Sequence, residues 1–279
     1  MKVTIGMAQI ATRPERVPDN LERHVAMIEA AREAGVDILL FPELSVSGYL
    51  LAHSVGRVAM APDDRRLEPL REASRGMTVV FGLPLRERDG GVSNAAMMLE
   101  DGEVVAVHRK LYLPTYGMFD EGRFFVPGEG LTVARSRFGR FGILICEDAW
   151  HPTTAVLLAR RRVDALLVLA GGPAVLGGEA TPESGRRWEW IVGATAVTTV
   201  TPVYFVNRCG WEEGILFTGG SHAVDGAGRR LCEPRYLEPC LGTAPFDPEQ
   251  VQRTRDLLPL VAMEREELWR REVEVPREL

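Results

Sequence analysis

Lysine is almost absent from this chain of 279 residues: among 33 basic residues only Lys2 and Lys110 are lysines, and arginine supplies the rest. Where arginine serves for every ordinary surface cation, a lysine inside the chain marks a place that wants a compact point charge. Cysteine is scarce too. Cys146, Cys209, Cys232 and Cys240 form no C-x-x-C pair, which argues against a zinc knuckle or a redox dithiol and leaves free thiols for chemistry. Basic residues are outnumbered by 39 acidic ones, giving a net charge of −6 and a pI near 5.5, so nucleic acid is not an expected partner. Long apolar runs are missing as well. The uncharged stretch Ala165 to Gly178 is broken by glycines, and Trp190 to Asn207 carries four threonines and Pro202, so both read as core and no membrane association is expected. The opening residues lack the apolar region and cleavage site of a secretory signal, and a cytoplasmic location is expected.

What is present describes a folded globule with an ample core: 46% hydrophobic and 26% charged residues exclude disordered and small disulfide-scaffold classes. Hydrophobic periodicity predicts strands over Val3 to Ile10, Asp37 to Phe41, Thr78 to Leu83, Val92 to Leu99 and Glu103 to His108, the last two joined by an Asp101-Gly102 hairpin turn. Further strands are predicted over Leu131 to Ser136, Phe141 to Cys146, Ala165 to Ala170 and Val203 to Asn207. Helices are predicted over Leu21 to Glu33, capped by Asp19 or Asn20 and ended by Gly35, and near Arg65 to Arg75, Thr153 to Arg162 and Arg187 to Thr198. This alternation is the mark of an α/β protein. One domain over residues 1–246 is expected, with 247–279 a charged helical extension that folds back or packs on a neighbouring subunit. Leu111 to Gly130 holds Pro114, Pro127, five aromatics and four glycines in one irregular stretch, too long for an idle connection.

Three predicted strand ends carry chemistry. Phe141 to Ile145 is an apolar strand that delivers Cys146 to a strand-to-helix corner, where a nucleophile is displayed. Taken alone, a cysteine there is more often a small buried hydrophobe, and Glu147 and Asp148 would raise its pKa, so activation needs a cation or base nearby. Ile38 to Phe41 is equally apolar and delivers Glu43, a carboxyl suited to general-base work although a solvated glutamate is the commoner case. Lys110 stands at the mouth of the long aromatic loop. A carboxylate, an ammonium and a thiol are the base, oxyanion stabiliser and nucleophile of an acyl-transfer site.

Phe41-Pro42-Glu43-Leu44-Ser45-Val46-Ser47-Gly48-Tyr49, Arg109-Lys110-Leu111-Tyr112-Leu113-Pro114 and Gly142-Ile143-Leu144-Ile145-Cys146-Glu147-Asp148 together resemble the nitrilase (carbon-nitrogen hydrolase) superfamily. The likeness runs from Val3 to Gly226. It implies a four-layer α-β-β-α sandwich, a homodimer or higher homo-oligomer, and a Glu-Lys-Cys triad on Glu43, Lys110 and Cys146. It implies no metal and no organic cofactor. A second glutamate, Glu121, stands eleven residues after the lysine and is expected to orient it. The implied activity is hydrolysis of a small-molecule amide through a cysteine thioester.

Position nominates Tyr49, Tyr116, Phe119, Glu147, Trp150 and Trp188 as substrate-binding residues, with plain core packing the alternative for each aromatic. Arg187 is a further candidate for a substrate carboxylate. Lys110 to Glu121 and Cys146 to Trp150 look most like the glutaminase domain of glutamine-dependent NAD synthetases. The chain departs from that branch at Ala170-Gly171-Gly172-Pro173, where a serine-containing stretch and a Gly-Lys are common, and a stand-alone amidase is the preferred reading. The glycine-bearing loop Gly171 to Gly185 is expected to govern specificity. Three other readings compete: a glutaminase subunit feeding a separate synthetase, a non-enzymatic binding protein on the same fold, and a hydrolase pairing Cys146 with His24, His53, His108, His151 or His222.

Overall fold

The computed structural model describes residues 2–175 and 182–274. Two mixed sheets lie face to face. The first carries β1 (Val3–Gln9), β2 (Ile38–Leu40), β3 (Thr78–Arg86), β4 (Val92–Glu100) and β5 (Glu103–Arg109). The second carries β6 (Val133–Ser136), β7 (Gly139–Ile145), β8 (Ala165–Ala170), β9 (Val203–Asn207), β10 (Cys209–Glu212) and β11 (Ile215–Val224), with β12 (Arg230–Tyr236) paired to β11. β13 (Cys240–Phe246) then returns to the first sheet beside β1. β1, β2 and β3 are parallel, as are β7, β8 and β9, and the remaining pairs are antiparallel.

Helices close the outer faces. α1 (Val17–Glu33), α2 (Val55–Val58) and α3 (Glu68–Ala73) lie on the first sheet's side, and α4 (Pro152–Arg160) and α5 (Glu183–Thr199) on the second's, which makes the four-layer α-β-β-α sandwich. α6 (Pro248–Leu257) and α7 (Glu266–Glu274) follow β13. The central strands read as unbroken apolar runs because both faces are covered. Ile38, Leu40, Val80, Ala96 and Met98 point between the sheets, and Leu39, Phe41, Val79, Phe81, Met97 and Leu99 point at the helices.

Most expected elements are present, with shifted ends. The Asp101-Gly102 turn joins β4 to β5 with both residues at positive φ, 53° and 87°. The helix expected near Arg65 to Arg75 is a 3₁₀ turn over Arg65–Leu67 followed by the short α3, and α5 begins at Glu183 instead of Arg187. The cap expected of Asp19 or Asn20 is absent: α1 starts earlier, at Val17, with proline in its first turn. Asn20 is instead a fully buried clamp. It accepts from Arg13 N at 2.8 Å and donates to Arg13 O at 2.8 Å and Val46 O at 3.0 Å, tying α1 to the segment that follows Glu43. Strands β10 to β13 carry no signal that sequence patterning separates, since their buried and exposed positions do not alternate cleanly.

Of the tail, α6 packs on the body of its own chain: Val251 is buried, and Arg255 donates to Val163 O at 2.6 Å and Thr201 Oγ1 at 2.9 Å. Among the described residues no helix is long and apolar enough to cross a membrane. Replacing Asn20 by leucine strands the buried Arg13 and Val46 groups that it satisfies. We expect a stability loss of about 2 kcal/mol or more, measurable as a lower midpoint in urea unfolding.

Candidate active site

Three carboxyl ends of strands meet, which is where open parallel sheets place their sites. β2 stops at Leu40 and the chain turns through Pro42 and Leu44, the latter at φ +48°, so that Glu43 points inward. Gly82 on β3 permits that turn. A Cβ there would lie 2.3 Å from Leu44 N and 2.7 Å from Pro42 O, both backbone atoms with no room to give. Lys110 follows β5 directly, with its N–H donating to Asn94 O and its carbonyl accepting from Gly128 N, each at 2.8 Å.

Cys146 follows β7 and opens a 3₁₀ turn over Cys146–Trp150 at φ +45°, a left-handed conformation that a non-glycine residue holds only when its surroundings enforce it. Asp148 does the enforcing. Its carboxylate accepts from Ile145 N at 3.0 Å, from Leu111 N at 2.9 Å and from Tyr112 N at 3.0 Å, and His108 Nε2 lies 3.1 Å away. One buried side chain thereby locks the turn after β7 to the chain just past Lys110. Asp148 is engaged by these amides and the Glu147 carboxylate accepts from Tyr116, and the carboxylate that raises the Cys146 thiol most is Glu43.

Lys110 is fully buried between two carboxylates. Its Nζ donates to Glu43 Oε1 at 2.6 Å and to Glu121 Oε1 at 2.7 Å. Asn94 Nδ2 donates to the same Glu43 oxygen at 2.8 Å and lies 3.5 Å from Glu121 Oε2, while Gly171 N–H donates to Glu43 Oε2 at 2.9 Å. The Tyr49 hydroxyl donates to Glu121 Oε1 at 2.5 Å. Burial alone would lower the Lys110 pKa, but Glu43 and Glu121 outweigh it and hold the ammonium charged. Burial raises the Glu121 carboxyl above its ordinary range against the pull of Lys110 and Tyr49. Burial, and then Glu43, push the Cys146 thiol far up; Lys110 and the Gly171 amide oppose this without overcoming it. The resting Cys146 side chain is therefore a neutral thiol.

The nominated pocket residues fall into two aromatic groups. Phe119 meets Tyr49 and Tyr116 edge-on, with ring centroids 6.4 and 5.8 Å apart. Tyr116 is 57% exposed, and its hydroxyl donates to both Glu147 oxygens at 2.9 Å; burial and then Glu147 raise this phenol to about 12. Trp150, half in solvent, meets Trp188 edge-on at 5.5 Å. Trp188 itself is buried and stacked on Phe205 at 4.6 Å, which is core packing. Arg187 pairs with Glu183 on the helix surface.

The histidine alternative loses its partners. The ring nitrogens of His24 meet Asn20 O and Ser45 Oγ, those of His108 meet Thr132 and Asp148, and His222 Nδ1 meets Gly220 O. His53 packs on Phe124 and His151 stacks on Tyr112. Patterning missed Asn94, Gly82 and the anchoring part of Asp148. Only Asn94 left a trace, as a carboxamide beside Ser93 at the head of the apolar run Ala95 to Leu99 in β4. Of the loop Gly171 to Gly185, residues 176–181 lie outside the described residues; Gly171 and Gly172 are pinned by Glu43 and by Asn207 Oδ1 at 2.9 Å.

This fold and site belong to one class. The chain is a member of the carbon-nitrogen hydrolase family, which matches residues 4–256. It is 28% identical to the glutamine-dependent NAD(+) synthetase of Thermotoga maritima, over 88% of this chain and 42% of that protein. With the synthetase of the same name from Xylella fastidiosa strain Temecula1 it shares 34% identity over 81% of this chain and 41% of the other. The chain thus spans less than half the length of these curated relatives. Among solved structures, the NitN amidase of Nesterenkonia sp. AN1 superposes with a TM-score of 0.82 at 28% identity, covering 96% of this chain and 99% of that one. One variant of that amidase carries the acetamide moiety of fluoroacetamide bound covalently to its active-site cysteine. The NAD+ synthetase of Acinetobacter baumannii superposes with a TM-score of 0.80 at 26% identity, covering 90% of this chain and 47% of that one.

Gly82→Ala tests the geometry. The added methyl must push the Glu43 turn, and an ångström of misplacement is worth about 10²-fold in rate. We expect kcat/KM to fall by about that factor for whatever substrate the enzyme turns over, with far-ultraviolet circular dichroism unchanged.

Proposed function

We propose that this protein hydrolyses the carbon-nitrogen bond of a small-molecule amide, with Cys146 as nucleophile, Glu43 as general base and acid, and Lys110 as oxyanion stabiliser. The observation that carries this reading is the buried ammonium held at 2.6 and 2.7 Å by two carboxylates where Cys146 also emerges. Glu43 takes the Sγ proton as the sulfur attacks the carbonyl carbon, so no free thiolate has to persist in a site that disfavours it. Lys110 and the Glu147 backbone N–H stabilise the oxyanion of the tetrahedral adduct. The carbon-nitrogen bond then breaks, Glu43 returns the proton to the departing ammonia or amine, and a thioester remains. Glu43 next deprotonates a water that attacks the thioester, the acid leaves, and the proton passes back to sulfur. Glu121 keeps Lys110 oriented throughout.

Tyr49, Tyr116, Phe119 and Trp150 wall the approach in this reading and favour a small, partly apolar acyl group. A second reading, glutamine as the amide with ammonia passing to a separate synthetase, draws support from the names of the curated relatives. It is also favoured by the Glu147 carboxylate beside Cys146, which could receive an ammonium group.

Ammonia release by the purified chain against amides, nitriles, carbamoyl compounds and glutamine is the test. We expect turnover of at least one amide, and its loss in Cys146→Ala, Glu43→Gln and Lys110→Ala. Glutamine turned over above all others selects the second reading; full activity in Cys146→Ala overturns the mechanism, and no turnover of any compound overturns the enzymatic reading.

The pH profile carries its own expectation. Protonating Glu121 removes one of the two negative charges that face Lys110 and leaves the ammonium to pair with Glu43 alone, which weakens the base. Because burial raises the Glu121 carboxyl, kcat/KM is expected to fall on acidification with an apparent pKa above 4.5, the ordinary value. An acid limb at or below that value would contradict this assignment.

A further inference from the structure

Arg208 is among the largest fully buried side chains of the protein, 1% exposed, at the junction of β9 and β10. Its Nη2 donates to Thr12 Oγ1 at 2.6 Å and to the Glu212 carboxylate, and its guanidinium lies 4.1 Å over the Phe217 ring. Nε and Nη1 have no hydrogen-bond partner among the described residues. Burying a guanidinium with unmatched donors is costly, and an apolar side chain of similar volume would pack the strands at least as well. The ion pair therefore calls for a reason outside strand packing.

Glu212 supplies it. Its Oε1 accepts from Tyr49 N at 2.7 Å and Leu50 N at 2.5 Å, capturing two successive backbone amides just after Gly48, which turns at φ +85°. Tyr49 also leans edge-on against Phe217 at 5.8 Å, on the ring that Arg208 covers. At the other end of the same side chain the Tyr49 hydroxyl donates to Glu121, and Glu121 holds Lys110. Contact is continuous from Thr12 and Arg208 through Glu212, Tyr49 and Glu121 to Lys110.

We propose that the buried Arg208–Glu212 pair is a positioning device: it fixes the Tyr49 backbone so that the Tyr49 hydroxyl stays on Glu121 and Glu121 stays on Lys110. Arg208 makes the Glu212 carboxylate tenable in the interior, and Glu212 uses that charge to grip the backbone. The proposal rests on the amide-hydrolase reading for its kinetic consequences only. The groups facing Glu121 are Lys110, Glu43, Tyr49 and Asn94, with Cys146 electrostatically coupled to it. Of these the Tyr49 hydroxyl and Lys110 lower its carboxyl pKa. Loosening Tyr49 lets the carboxyl rise, so any pH transition that Glu121 imposes on the site moves to higher pH.

The test uses the full chain and reads Cys146 directly. Iodoacetamide alkylation of Cys146 is followed by peptide mass mapping across pH, with Cys209, Cys232 and Cys240 as internal controls, and Glu121→Gln identifies the transition that belongs to Glu121. Arg208→Met with Glu212→Leu removes both charges and the acceptor at similar volume. Arg208→Met with Glu212→Gln restores an acceptor, and Tyr49→Phe removes only the hydroxyl. We expect the Leu variant to fold and to shift the Glu121 transition upward, as Tyr49→Phe does, with no further shift when the two are combined. Its kcat/KM on a turned-over amide should drop about 10- to 100-fold, and the Gln variant should recover most of both effects.

An unshifted transition with activity lost only in proportion to unfolded protein would overturn the proposal. So would full additivity with Tyr49→Phe. If the Leu variant fails to fold, the Gln variant and Tyr49→Phe still decide: an unshifted transition in Tyr49→Phe overturns the link to Glu121. If no amide is turned over, the amide-hydrolase reading fails while the alkylation profile still tests the positioning device.

Discussion

The structure depends on one buried ammonium. Taking a lysine fully out of water carries a desolvation cost of several kcal/mol, recovered only where geometry and further hydrogen bonds are good. Lys110 meets that condition with carboxylates on two sides, and those carboxylates in turn are met by Asn94, Gly171 and Tyr49. These five partners come from four parts of the chain: the segment after β2, which supplies Glu43 and Tyr49, strand β4, the long loop after β5, and the corner after β8. None of them can move far without leaving a charge unmatched. The site is rigid for that electrostatic reason before any substrate is considered.

Backbone shape serves the same end. Glu43 and Cys146 both leave parallel strands through sharp turns, one permitted by the missing side chain of Gly82, the other held by the Asp148 carboxylate within it. Asp148 also binds the amides of Leu111 and Tyr112, so the position of the thiol and the path of the chain beyond Lys110 are set by one group. Carboxylates that grip backbone amides recur at Glu212, which holds Tyr49 and Leu50. The protein repeatedly places a buried acid where an irregular segment must be held in register with the sheets.

Family membership agrees with this architecture, as does the superposition on an amidase over 96% of this chain and 99% of that one. The curated synthetases share the sandwich over less than half their length. Around Cys146 lie Glu147 bound by Tyr116, the exposed rim of Trp150, and the Gly171-Gly172 corner pressed against Tyr49 and Trp188. Those are features of loops and of a 3₁₀ turn, where side chains can change without disturbing either sheet.

Much of this was legible in the chain itself. Apolar runs ending in Glu43 and Cys146, and a lone interior lysine, are statements about residue type and order, and strand periodicity with punctuating glycines placed most elements within a few residues. Asp19 and Asn20 show the limit. Either could cap a helix, and only packing against Arg13 and Val46 determines that Asn20 is a clamp and that α1 begins earlier. Strands β10 to β13 left no alternation to read because their faces are covered unevenly by other parts of the fold. The sequence by itself determined the chemistry on offer, the α/β class and the three strand ends. Only the tertiary structure decided that Lys110 sits between two carboxylates, that Asn94 and Tyr49 complete the set, and that Arg208 and Glu212 brace Tyr49. Those contacts join residues far apart in the chain, and local sequence carries no record of which distant polar group will satisfy a buried charge.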